Sequence, residues 1–97
     1  MAGGLSTQRN INRPRTVYGP IAAAVATLVI PANKHRLSCV IANAHATVAV
    51  YIGPAGVTIA NGIPIAAGAS FTDNFSTDAW YMIPASGTSD VRAVEVQ

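Results

Sequence analysis

Val48-Ala-Val-Tyr-Ile-Gly-Pro-Ala-Gly-Val-Thr-Ile-Ala-Asn-Gly-Ile-Pro-Ile-Ala-Ala-Gly68 joins an alternating apolar run to a stretch punctuated by Gly53, Gly56, Gly62 and Gly68. Val48, Val50 and Ile52 fall at every second position, so they share one face of a strand. The glycines that follow set the direction of a long corner. That corner offers no acid–base, metal-binding or activated nucleophilic group, so it serves shape rather than chemistry.

Working outward, residues 36–43 also alternate, with Leu37, Cys39 and Ile41 on one face and Ser38, Val40 and Ala42 on the other. Both faces read as substantially covered. Residues 43–46 make a short turn into residues 47–52, which predicts an antiparallel hairpin. A first strand is expected at residues 16–18, ending at Gly19-Pro20. The run 21–30 reads mostly as strand, because Val25, Thr27 and Val29 alternate within it despite an alanine cluster. Three more short strands are expected at residues 70–72, 79–83 and 90–96, separated by Asp73-Asn74 and Ser86-Gly87-Thr88. Six or seven short strands with frequent turns predict an all-β protein, a small antiparallel sandwich or barrel.

A length of 97 residues allows one domain. Val and Ile together number 19 against three Leu, and branching at Cβ favours pleated strands over helices. Charged residues make up 10% of the chain, against roughly 25% in an ordinary soluble domain. Much of the surface must then be weakly polar or apolar, which suits a chain packed against neighbours. The longest apolar candidate, residues 21–30, is too short to cross a bilayer and ends at Pro31, so no membrane association is expected. The N-terminal residues lack the pattern of a secretory signal, and synthesis in a cytoplasm is expected. The single cysteine, Cys39, excludes an internal disulfide.

Charge is unevenly placed. Arg9, Arg13, Arg15, Lys34 and Arg36 precede any acidic residue, whereas Asp73, Asp78, Asp90 and Glu95 lie in the last 25 positions, opposed there by Arg92. Residues 1–16 show no apolar periodicity and read as an extended basic arm; residues 17–97 read as the folded domain. In an assembly, the arm could meet an acidic face on the next subunit.

Candidate chemical groups are few. His35, Cys39 and His45 match no zinc spacing, and Cys39 reads as a small buried hydrophobe. Asp73 and Asp78 could pair as acid and base, but they flank a polar turn and turn chemistry accounts for them. Gly53-Pro-Ala-Gly56 lacks the Gly-Lys-Ser/Thr ending of a phosphate loop. Tyr51, Trp80 and Tyr81 fall in strand patterns, and a net charge of +2 argues against nucleic-acid binding. No catalytic residue, metal or cofactor is expected.

Asn33-Lys-His-Arg36-Leu-Ser-Cys-Val-Ile41-Ala-Asn43, Val50-Tyr-Ile-Gly53, Gly56-Val-Thr58, Asn61-Gly-Ile-Pro-Ile65, Ala67-Gly68, Trp80-Tyr-Met-Ile83 and Ser86-Gly-Thr-Ser-Asp-Val-Arg92 follow a recurrent pattern. Over residues 27–97 it resembles small tailed-bacteriophage virion proteins, the capsid decoration or cement proteins and the β-sandwich bases of head fibres. Departures are Pro54 in place of a more usual glycine, Cys39 in place of Thr or Ser, and Trp80 where Leu is commoner. The resemblance implies a jelly-roll-like β-sandwich without catalytic activity, present as a dimer or trimer on the outside of a phage head and made in the host bacterial cytoplasm. The implied partners are the major capsid protein, further copies of the chain and a fibre protein. It also implies fold-shaping roles for Asn33, Arg36, Asn43, Gly53, Gly56, Asn61, Gly62, Pro64, Gly68 and Gly87. Expected partner contacts are Arg9, Arg13 and Arg15, with Ile11 and Val17 as apolar anchors and Trp80 as a subunit-specific contact. The alternatives are the base domain of a head or tail fibre, and a small carbohydrate-binding sandwich that presents Trp80 and Tyr81 to solvent.

Overall fold

The computed structural model describes residues 14–97, with side chains from Val17 onward. Eight strands follow in order: β1 (Pro14–Ile21), β2 (Thr27–Ile30), β3 (Ser38–Asn43), β4 (Val50–Gly53), β5 (Ile63–Ile65), β6 (Ser70–Asp73), β7 (Trp80–Pro84) and β8 (Val91–Val96). They form two four-stranded sheets, β1-β8-β3-β6 and β2-β7-β4-β5, in which every pairing is antiparallel. First pairs with last, second with seventh, third with sixth and fourth with fifth. This is one long hairpin rolled upon itself, and the rolling adds the β3–β8 and β4–β7 contacts. An eight-stranded double sheet of this order is a jelly roll. The chain is thus the small antiparallel β-sandwich expected.

The core lies between the sheets. Strand β3 alternates strictly, with Cys39, Ile41 and Asn43 buried and Ser38, Val40 and Ala42 half-buried, because it has a neighbour on each side and one face toward the second sheet. Val91 and Ala93 of β8 join it from the same sheet, facing Val50 and Ile52 of β4 and Met82 of β7. At 1% exposure Cys39 behaves as a core side chain, and its burial pushes the thiol pKa up.

Several local expectations are corrected. Strand β1 starts at Pro14, inside the expected arm, and runs past Gly19-Pro20 to Ile21 by shifting register against β8 between Tyr18 and Ile21. Of residues 21–30, β1 takes Ile21 and β2 only Thr27–Ile30; residues 22–26 are a connection between the sheets. No hairpin joins β3 to β4: they belong to different sheets, and Asn43 anchors the crossover by donating from Nδ2 to the carbonyls of Val48 and Ile65 at 2.9 and 3.0 Å. Leu37 precedes β3 and is exposed. The glycine-set corner contains a strand, β5, that pairs with β4 at the sheet edge, where Pro64 costs no ladder hydrogen bond.

Candidate binding surface

A buried polar cluster lies at one end of the sandwich. Arg36, 4% exposed, donates from Nε and Nη2 to the carbonyl of Ser76 at 3.3 and 3.1 Å, from Nη2 to that of Asp78, and from Nη1 to that of Pro31 at 3.0 Å. Its Nη1 also lies 3.5 Å from Glu95 Oε1, while the Tyr18 hydroxyl donates to Glu95 Oε2 at 3.4 Å. Asp73, also buried, accepts from the amides of Phe75 and Ser76 through Oδ1 at 2.9 and 3.2 Å, and from Trp80 Nε1 through Oδ2 at 3.0 Å. The Asn33 amide donates to the carbonyl of Thr77 at 2.8 Å. The β6–β7 loop is therefore gripped by its own backbone at Phe75, Ser76, Thr77 and Asp78. A short aspartate-initiated turn of this kind is common, but here two buried ionic side chains hold it from inside. The loop presents Phe75 to solvent at 94% exposure.

The outer sheet faces are poor in charge. On the first sheet, Val17, Val94, Val40 and Thr72 stand opposite one another in a single row across all four strands. Beside that row, Val17, Val40, Ala42, Ala93, Val94 and the stem of Arg92 line an open groove of about 210 Å³ with a wholly apolar wall. Among the described side chains of this face Arg92 alone is charged, and its Nε and Nη2 hold Asp90 at 3.3 and 3.0 Å. On the second sheet Leu28 pairs with Tyr81, and Tyr51 lies between Ile83 and Pro64. A surface of this kind is what 10% charge implied.

The residues expected to bind partners fare differently. Arg9, Ile11 and Arg13 lie outside the described residues; Arg15 lies in β1, where the structure describes its backbone. Val17 is 76% exposed and borders the groove. Trp80 faces inward: its indole N–H is held by Asp73, and its ring meets Phe71 edge-on with centroids 5.3 Å apart. Because Trp80 and Tyr81 are consecutive in β7 they point to opposite faces, so they do not form the shared aromatic platform a sugar-binding surface would use. Of the expected acidic face little remains, since Asp73 and Glu95 are buried and Asp90 is occupied by Arg92, which leaves Asp78 exposed.

The other polar residues singled out sit at turns. Asn33 donates from Nδ2 to Gln97 Oε1 and accepts from the His35 amide, and Asn61 accepts from the Thr58 amide. His45 Nδ1 accepts from the amides of Thr47 and Val48, both at 3.0 Å. Gly53, Gly56 and Gly62 shape the β4–β5 connection, Gly68 the approach to β6, and Gly87 the turn before β8. No group of histidine, cysteine and acidic residues suited to a metal occurs among the described residues.

Phe75 and the groove were not singled out from sequence. The available signal was a lone aromatic within a polar turn, where side chains face water. Arg36 read as a strand-opening residue, because its loop partners lie 40 and 42 positions away. No family model matches the chain, and neither a curated protein nor a solved structure matches it.

Proposed function

We propose that this chain is a structural protein of a tailed-bacteriophage virion, which packs as an oligomer on the outer surface of the head and holds neighbouring capsid subunits together. The observation that carries this reading is the amount of apolar side chain left in water: Phe75 at 94%, Val17 at 76% and Val25 at 67%, on a sandwich whose outer sheet faces bear almost no charge. Such surfaces gain by being covered. The jelly roll agrees with the fold that the sequence resemblance implies.

Charge placement adds a role for the arm. Residues 17–97 carry Lys34, Arg36 and Arg92 against four acids, a formal charge of 3 − 4 = −1, so Arg9, Arg13 and Arg15 supply the excess that brings the chain to +2. With Asp73 and Glu95 buried and Asp90 paired with Arg92, the chain leaves Asp78 as its one exposed, unpaired acid among the described residues. The arm's partner is then an acidic surface on another protein, and the capsid is the candidate. Contacts that are individually small hold firmly when repeated over a lattice. A fibre-base role would differ by a further chain fixed to one end of the sandwich.

The test is to purify mature particles of the phage that encodes this chain and quantify it against the major capsid protein. A fixed stoichiometric ratio is expected, and absence from particles overturns the reading. Deleting residues 1–13, which spares β1, should lower occupancy; unchanged occupancy removes the arm from the mechanism.

A further inference from the structure

We propose that Phe75 of one copy of this chain seats in the groove formed by Val17, Val40, Ala42 and Val94 of a second copy, so that the chain assembles head to tail. The proposal deepens the self-association in the reading above and rests on that part of it alone.

Phe75 has the properties of an interface anchor. It is an aromatic side chain almost fully in water, on a backbone already fixed by Arg36, Asp73 and Asn33. Anchors of this sort lose little freedom when they bind, and aromatic ones dominate many interfaces. The ring is 94% exposed and lies outside the core cluster, so packing within the fold does not account for an aromatic side chain at this position.

The groove has the matching properties. Its volume is about 210 Å³ and its wall is wholly apolar, whereas a cavity of about 150 Å³ lined by apolar side chains accepts benzene. Arg92 flanks it with Nη1 free of hydrogen bonds among the described residues, placed to lie against the rim of an incoming ring or to meet an anion. The loop that carries Phe75 also carries Asp78, exposed and without an ion-pair partner among the described residues. Knob and hole therefore agree in chemistry at the centre and in charge at the edge.

The topology decides how copies join. The knob leaves the first sheet from its β6 edge, while the groove lies over β1, β8 and β3 toward the opposite edge. Each copy offers one knob and one hole on different parts of its surface. Knob and hole toward opposite edges of one sheet suit a heterologous contact better than a reciprocal two-fold pair, and successive copies close into a ring when the rotation between them allows.

The experiment is sedimentation of the full chain beside Phe75→Ser and Val94→Asp, each checked for native circular dichroism. Val17→Asp serves as a second groove variant, because that side chain is 76% exposed and lies outside the buried core. The wild type is expected to self-associate, and each variant alone to weaken association at least about tenfold. An equimolar mixture of Phe75→Ser with a groove variant should form heterodimers that grow no further, since one partner supplies the only intact hole and the other the only intact knob. A monomeric wild type, an unaffected Phe75→Ser chain or a mixture that stays monomeric overturns the proposal. A monomeric wild type whose binding to particles is lost in Phe75→Ser also overturns it, by assigning the anchor to a foreign protein, and leaves the virion reading standing.

Discussion

Arg36 Nη1 lies 3.5 Å from Glu95 Oε1 with both side chains shut away from water, which ties the last strand of the jelly roll to the loop that presents Phe75. The carboxylate projects inward from β8, on the face that elsewhere carries Val91 and Ala93. Four hydrogen bonds to main-chain carbonyls satisfy most of the guanidinium, whereas Glu95 Oε1 has the ion pair but no hydrogen bond. The pair organises the end of the sandwich more than it adds net stability, because desolvation offsets much of the attraction.

Removing one member of this pair should be costly. Arg36→Leu or Glu95→Leu alone is expected to lose about 3–5 kcal/mol, since the partner is left charged and buried. The double replacement should lose less than the sum of the two. Arg36→Lys should not rescue the arginine variant, because a single ammonium cannot span carbonyls from residues 31, 76 and 78 as a planar fork does. Denaturant midpoints at constant slope measure all four variants. Additive single and double losses would contradict the coupling.

Gly62 is expected to tolerate no side chain. A Cβ there would stand 2.7 Å from Tyr51 Cβ and 2.9 Å from Val57 Cγ2, both in packed surroundings. Gly62→Ala should therefore cost about 1–3 kcal/mol, the range for forcing an extra methyl into a filled space. Gly87 adopts φ +58 with open space around it, so Gly87→Asn, which accepts that conformation, should stay within about 0.5 kcal/mol of wild type. Thermal unfolding of the two variants side by side gives the comparison.

Cys39 should be inert in the folded chain and weaken it at alkaline pH. Burial is the main reason its thiol pKa is raised, with the Arg36 charge opposing. Above the ordinary thiol range the unfolded chain releases a proton that the folded chain retains, so the unfolded state binds fewer protons and stability falls as pH rises. Below that range this group adds no pH dependence. Thiol labelling should proceed at the rate of unfolding, and Cys39→Val should abolish that part of the alkaline loss. Fast labelling of the native protein would show that the site is open.

Much of the fold was legible because it depends on neighbours in sequence. Alternation marked β3, β7 and β8 to within two residues at each end, since a half-buried strand writes a two-residue period into its side chains. Strand β5 escaped notice because Ile63-Pro64-Ile65 is three residues long and its proline reads as a breaker; only the sheet edge makes it permissible. The β3–β4 hairpin failed for a different reason. Two adjacent alternating runs fit a hairpin and a crossover equally well until the other strands compete for their edges, and β8 and β6 occupy both sides of β3.

By itself the sequence determined that this protein is a small all-β domain with a charge-poor surface and glycine-shaped turns, because composition and short-range period act within a few residues of chain. Only the tertiary structure decided that the sandwich is a jelly roll, that Arg36, Asp73 and Glu95 are buried while Phe75 is exposed, and that Val17, Val40 and Val94 make one groove. Those outcomes join residues dozens of positions apart, where hydrogen-bond satisfaction and desolvation are settled across the whole fold at once.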